Sequence, residues 1–521
     1  MALLSGPAAL DGEKEAAKED TSSASTGSAF LDTTIPAECV FEDLPQHSNA
    51  LPSPFLPIPS TVSSLTDCAK WHIEQLEQEL LAAAHNGDEL EDALDDGFVL
   101  CDLNVIRKKL LAWRHLFPRI KPFFALKCNP DPMVAAVLGR TNQAAGFDCA
   151  SLSEITLALQ SSRQNNSNLV VYANPQRAEN DLEASLSHGV VAFTLDGEEE
   201  LHKIHRAFLQ HNQNNNNAKK APQIILRLLV PDEHSTVPLG EKFGAPPDRI
   251  PSLVQLALVL QLPIIGVSFH CGSGCHDPMA YAQAIRLAYD AMNTIDELQH
   301  GHHNKCWLLD IGGGFPGRDG WKGDTGRFCN CCAAGGNLTI DNSSEEDDET
   351  LETARKIAEA INPLLDELFP PATSQVQVIS EPGRYFVEAA FALCSRIYRV
   401  HTTTTAPQED SSNNSSATTT KRIHYTIAQG VQGVFKDVVL CGESFEPVPL
   451  QMMMSQNNAS QSTTVLFPST IHGPTGDVVC PSIDLPQLQV GDWLLFDRMG
   501  AYTLSISARS GRPPIRYIMG S

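Results

Sequence analysis

The sequence predicts an α/β protein, a parallel (β/α)8 barrel followed by a mainly β domain. Three observations carry that prediction. Short apolar runs recur from about residue 98 to about residue 390, with helical patterns between them. Polar residues of chemical type stand at the C-terminal ends of those runs, where a barrel keeps its reactive groups. After about residue 390 the runs continue without helices between them. A doubly wound sheet would satisfy the first observation equally, and strand count alone does not separate the two.

Taken in order, residues 1–65 are rich in Ser, Thr, Ala, Pro and acids and end in PSPFLPIPSTVSS. They read as a disordered extension. Residues 66–100 contain DCAKWHIEQLEQELLAAAHNG, an amphipathic helical pattern expected to pack on the β domain. Residues 101–388 form the expected barrel, with runs FFALK, NLVVYAN, VVAFTLD, QIILRLLV, PIIGVSFH, WLLDIGGG and VQVISEPGR. Residues 389–521 form the expected β domain, with ALCSRIYRVHT, RIHYTIAQG, STTVLFPSTIHGP, DWLLFDRMGAYT and IRYIMGS. Polar insertions such as QHNQNNNNAKK, NSSEEDDE, TTTTAPQEDSSNNSSATTT and SQNNASQST read as surface loops.

The formal net charge of −25 argues against nucleic acid or an anionic membrane as partner. Much of it comes from the first 100 residues, with 19 acids and three lysines. Fourteen scattered cysteines are too sparse for a disulfide scaffold. No secretory signal and no apolar run of about 18 residues is visible. A reduced, soluble, cytoplasmic enzyme is the expectation.

Five stretches suggest chemistry. KPFFALKCN ends an apolar run on Lys127; such a lysine either snorkels into an ion pair or serves as a Schiff-base amine. LLDIGGGFPG places Gly312, Gly313 and Gly314 after a strand, where they form a turn or close around a phosphate. They do not make the GxGxxG dinucleotide fingerprint. SEPGRYF offers Glu381 and Arg384, an ordinary ion pair across a turn or an acid and a phosphate-binding fork. VSFHCGSGC offers His270 and Ser273; the imidazole either packs in the core or stacks on a flat cofactor. FCNCC, residues 328–332, lacks a paired CxxC elsewhere, so no metal is expected.

A lysine, a phosphate cup, an acid and a flat-facing histidine are the parts that a pyridoxal 5'-phosphate (PLP) enzyme needs. The chain resembles the alanine-racemase-like, group IV PLP decarboxylases, and among them the eukaryotic-type ornithine decarboxylases. The resemblance rests on PFFALKCN, GFDCASLSEI, YANPQR, KFGAPP, VSFHCGSG, LLDIGGGFPG, SEPGRYFVE, HGPTGD and VGDWLLFDRMGAYT, in the family's order over most of residues 98–521. It implies a PLP-binding TIM-like barrel and decarboxylation of L-ornithine to putrescine, with other basic amino acids as alternatives. It also implies homodimers with shared active sites, and either an antizyme-type regulator or a non-catalytic role like that of antizyme inhibitor.

By this resemblance Lys127 bonds the cofactor, Asp148 and Glu154 flank them, and His270 stacks on the ring. Ser273, Gly312, Gly313, Gly314, Arg384 and Tyr502 hold the phosphate, and Glu381 holds the pyridine nitrogen protonated. Asp477 reaches the substrate in the partner's site. The sequence departs from the family at four places. Cys441 stands where an aspartate meets the distal amine, with Asp437 and Glu443 nearby as substitutes after a shift in loop register. Gly476 replaces a cysteine that guides product protonation, and Gln432 replaces a tyrosine. Lys242 matches an intersubunit salt-bridge lysine, but its aspartate partner falls at Cys480.

Overall fold

The structure is a computed structural model that describes residues 56, 65–86, 97–141, 144–214, 221–300, 305–317, 351–405, 420–450, 465–508 and 511–519. The expected disordered extension (apart from Leu56 and Leu65), the FCNCC stretch and most of each polar insertion lie outside these residues.

Eighteen strands are described. They are β1 (Phe98–Asp102), β2 (Ile120–Ala125), β3 (Gly146–Cys149), β4 (Val170–Tyr172), β5 (Ala192–Leu195) and β6 (Gln223–Arg227). Next come β7 (Ser235–Val237), β8 (Ile264–Ser268), β9 (Ser273–Cys275), β10 (Leu308–Asp310), β11 (Gln377–Ser380) and β12 (Phe391–Thr405). The last are β13 (Thr420–Ile427), β14 (Pro447–Leu450), β15 (Leu466–His472), β16 (Val478–Pro486), β17 (Trp493–Phe496) and β18 (Ile515–Ile518).

Strands β2, β3, β4, β5, β6, β8, β10 and β11 close into a parallel barrel, so the doubly wound alternative is excluded. Both faces of these strands are covered, which is why they read as near-continuous apolar runs. Phe123, Val171, Ile225, Ile265, Leu308 and Ile379 form one cluster, contributed by β2, β4, β6, β8, β10 and β11. Phe124, Phe147, Phe193 and Val267 pack instead into the larger core with the helices. The helices start on designed stops. Asp131 accepts hydrogen bonds from Met133 N and Val134 N ahead of Pro132–Gly139, and Asp277 accepts from Met279 N ahead of Pro278–Leu298.

The second sheet runs in the order β14-β17-β12-β13-β15-β16. Its long strand β12 pairs with β17 and β1 over its first half and with β13 over its second, with an irregularity between Ile397 and Arg399 where the register shifts. β1 pairs antiparallel with β12 and parallel with β18. The sheet therefore takes a strand that straddles the expected boundary at residue 100. The helix Leu65–Asn86 lays Cys68, Ala69 and Ile73 against Phe98, Ala392, Leu450 and Trp493 of this sheet. Among the described residues no helix is long and apolar enough to cross a membrane.

Candidate active site

The barrel gathers most of the expected site residues at the C-terminal ends of its strands. One pocket is lined by Lys127, His270, Ser273, Gly314, Glu381, Arg384 and Tyr502, among others.

Lys127 stands two residues beyond β2. The pairing of β2 with β3 sets Ala125 against Asp148, which puts the aspartate beside the lysine. Lys127 Nζ lies 2.6 Å from Asp148 Oδ2. Burial pulls the lysine's pKa down, but Asp148, Glu381 and Tyr502 outweigh it and the net shift is upward. The group is therefore a firmly charged ammonium, and it must give up a proton before it can attack a carbonyl. Asp148 is fully buried, and its second oxygen, Oδ1, has no hydrogen-bond partner.

Glu381 follows β11 and is buried. Burial, then Asp148 and Asp310, push its pKa well above the usual carboxylate value; Lys127 and Arg227 only partly oppose this. Asp310, at the end of β10, is pushed up to about 6 by burial despite accepting a hydrogen bond from Gly312 N at 2.9 Å. Without a further cation Glu381 is biased towards the protonated form. Glu381 is an acid waiting for a positive partner.

His270 follows β8. Its Nδ1 accepts a 3.0 Å hydrogen bond from Gly272 N. Burial, then Arg227 and Lys127, hold its pKa well below the usual imidazole value. The ring is neutral with its hydrogen on Nε2. An added Cβ on Gly313 would come within 2.8 Å of that Nε2. Gly312 has φ +64, and a Cβ there would meet Phe269 O at 2.0 Å. Only glycine fits this cradle.

The remaining phosphate candidates meet from separate elements. Ser273 opens β9 and Arg384 opens the helical turn Arg384–Val387. The Arg384 guanidinium sits 5.5 Å from the centroid of the Tyr502 ring. Tyr502 has φ +56, a strained conformation for a tyrosine, and its N–H donates to Cys128 O at 3.1 Å. Arg384 also faces three carboxylates: Glu443 at 3.6 Å, Glu388 at 3.9 Å and Asp437 at 4.0 Å. None is within close bidentate reach, so the fork keeps capacity for another anion.

Other expected residues fall outside the pocket lining. Glu154 sits at the start of Leu152–Ser161, where its N–H donates to the N-cap Ser151 Oγ and its carboxylate accepts from Ala150 N at 2.8 Å. Cys441 caps the short helix Lys436–Leu440; its thiol bonds to Asp437, and burial with that carboxylate pushes it up to about 11. Asp477 Oδ2 accepts from Val431 N at 2.7 Å. Gly476 has φ +83 with nothing near its would-be Cβ. Lys242 is exposed and Cys480 buried. Among the described residues no group of three His, Cys, Asp or Glu could hold a metal.

Three residues of the site were not singled out from sequence. Asp310 precedes the glycine triplet, and Arg227 is the one charge in QIILRLLV. Glu388 closes SEPGRYFVE. A charge inside an otherwise apolar run was the available signal in the first two cases.

The donor set fits PLP. It offers a buried acid whose charge Lys127 and Arg227 only partly offset, an unpartnered aspartate oxygen, a cradle closed to any Cβ, an arginine with spare donors, and a lysine in the same pocket. The chain belongs to the pyridoxal-dependent decarboxylases: the family's pyridoxal-binding domain matches residues 103–326 and 319–388. It binds PLP, in the alanine-racemase-like group IV fold. It is 35% identical over 430 residues to antizyme inhibitor 2 of Xenopus laevis, covering 81% of each chain. It is 32% identical over 434 residues to ornithine decarboxylase of Mus musculus, again covering 81% of each. Among solved structures it is similar to the arginine decarboxylase of Paramecium bursaria Chlorella virus. That match has TM-score 0.64 and 26% identity, and it covers 85% of this chain and 99% of the other. A lysine/ornithine decarboxylase from Vibrio vulnificus shares the fold at TM-score 0.60 and 22% identity, over 86% of this chain and 98% of that one.

Proposed function

We propose that this chain removes the α-carboxylate of L-ornithine to give putrescine and CO2, a step of polyamine biosynthesis, as a cytoplasmic homodimer. The observation that carries this reading is the convergence of Lys127, Asp148, Glu381, His270 and Arg384 on one barrel end, with the lysine paired to Asp148 at 2.6 Å.

Bound PLP supplies the electron sink for the pair released when the carboxylate leaves. The chain's own residues supply the rest. Lys127 would tether the cofactor. Glu381 would hold the pyridine nitrogen protonated. Neutral His270 covers one ring face without adding charge. Ser273, Tyr502, Arg384 and the Gly312–Gly314 amides hold the phosphate. Asp148, and Glu154 behind it, keep the lysine end of the pocket anionic.

At the substrate end, Asp477 is assigned to the distal ammonium in the partner's site, near Cys441. Asp437, hydrogen-bonded to that thiol, supports retention of a carboxylate one helical turn from it. Val439, Leu440 and Val478 are large apolar side chains left exposed beside these loops, as a covering partner chain would require. The alternatives are decarboxylation of lysine, arginine or a diaminopimelate-like substrate, and a non-catalytic role under an antizyme-type regulator. Cys441 and Gly476 favour altered specificity or the non-catalytic role, and the similarity to antizyme inhibitor 2 supports the latter.

The test is CO2 release from PLP-loaded protein offered ornithine, lysine, arginine and diaminopimelate side by side, with the amine product identified. Putrescine from ornithine is the expected result. A different preferred amine moves the assignment to that substrate, and no release with PLP bound removes the enzymatic reading.

A further inference from the structure

Three histidines line up across neighbouring strands of the β domain. His401 on β12 is in register with His424 on β13, with ring centroids 6.0 Å apart. His424 and His472 on β15 have centroids 5.3 Å apart. His424 Nδ1 lies 3.0 Å from His472 Nε2, and Thr403 Oγ1 lies 3.0 Å from His424 Nε2. His472 Nδ1 lies 3.3 Å from Gly476 O.

One arrangement of protons satisfies all three contacts. A carbonyl only accepts, so His472 Nδ1 carries the hydrogen. In the neutral ring Nε2 is then an acceptor, so His424 Nδ1 must donate to it. His424 Nε2 in turn accepts from the Thr403 hydroxyl. The chain of bonds ends on the turn between β15 and β16. That turn is also held by Gly473 N donating to Asp477 O at 2.9 Å and Gly476 N donating to Gly473 O at 3.1 Å, and the Asp477 carboxylate accepts from Thr475 Oγ1 and Val431 N.

We propose that His472, backed by His424, is a positioning residue that clamps the Gly476–Asp477 turn and holds Asp477 where substrate is met. The clamp opens when both rings carry a proton. This rests on the assignment of Asp477 to the substrate. One added proton is shared across the Nδ1–Nε2 contact, because His424 can turn its own hydrogen onto Nε2 and accept instead. A second proton sets N–H against N–H.

The surroundings oppose that second charge. His424 is held below the usual imidazole pKa by burial, then by His472 on β15, His401 on β12 and Arg422 on its own strand. Arg422 donates to Thr470 Oγ1 and Pro481 O, and β16 sets neutral Val478 opposite His472. A histidine with a lowered folded pKa contributes stability that is present above its unfolded value, about 6.5, and lost as pH falls through the folded value.

The experiment compares holoenzyme wild type, His472→Asn and His472→Ala across the imidazole range. It reads KM, kcat and amide-exchange protection of residues 473–478. Asparagine keeps an N–H near the Nδ1 position and does not titrate. In wild type, protection should fall and KM should rise together on acidification. His472→Ala should lose protection and show a KM raised about 10-fold at neutral pH, with kcat little changed. His472→Asn should keep protection and a low KM throughout. Wild-type protection that does not change with pH, or an asparagine variant that follows the wild-type acid limb, overturns the clamp. Protection that falls as expected with KM unmoved upholds the clamp and overturns the assignment of Asp477 to substrate.

Discussion

Lys127 and Cys441 stand at the two ends of the proposed chemistry and are held in different ways. At the cofactor end, a lysine, three acids, a histidine and an arginine interlock inside the barrel mouth, and the charges of Lys127, Glu381 and His270 depend on their neighbours. At the substrate end, Cys441, Glu443 and Asp477 sit half-buried on loops of the β domain, tied to their own backbone or to near neighbours. A buried, coupled set tolerates few changes, because removing one charge leaves another uncompensated. A half-exposed loop can exchange an aspartate for a cysteine at small cost to the fold. Three of this chain's departures from its family, Cys441, Gln432 and Gly476, fall on the second kind of site, while Cys480 is buried in β16.

The sharpest break is Lys127→Ala. Turnover should fall to background and the visible absorbance of lysine-bound cofactor should vanish; a full-rate variant would end the assignment. Glu381→Gln comes next. It should lower kcat by about 10²- to 10³-fold, as loss of one preorganised electrostatic contact does. The cofactor-free variant should unfold at no lower temperature than cofactor-free wild type, since burial already favours the neutral acid. A drop of several degrees would show that the anion matters to the fold itself.

Arg384→Ala should weaken PLP affinity by about 10- to 100-fold, the worth of a charged hydrogen bond. An unchanged dissociation constant would assign the phosphate to other groups. Gly476→Cys is the smallest effect and tests the other region. Nothing lies near its would-be Cβ, so the side chain fits, but the positive φ costs about 1 kcal/mol. The decarboxylation rate should rise if the missing thiol limits product protonation. An unchanged rate means another group delivers that proton.

The barrel was legible because its strands are apolar on both faces, as in PIIGVSFH and QIILRLLV. β3 escaped the list of runs: it is four residues long and contains Gly146 and Asp148. Its residues entered only through the family resemblance. Lys127, His270 and Glu381 were legible because a polar group ending an apolar run needs a reason. Asp310 was not, because an aspartate before three glycines reads as part of the turn. Ser151-x-x-Glu154 is a capping pattern visible in sequence, yet the resemblance drew attention to its acid as a cofactor group instead. The histidine row was invisible, because His401, His424 and His472 meet only through sheet register. The same holds for β1, whose partners are fixed by pairings hundreds of residues away.

That last pairing bears on how the protein is made. β1 emerges from the ribosome early, yet both of its neighbours, β12 and β18, are synthesised after the whole barrel. The barrel's strands pair with one another and can close while the chain is still growing. Phe98–Asp102 keeps one apolar edge unpaired until Ile515–Ile518, its parallel partner, has been made. Removing Ile515–Ile518 would therefore leave an edge of β1, near the beginning of the fold, without its partner.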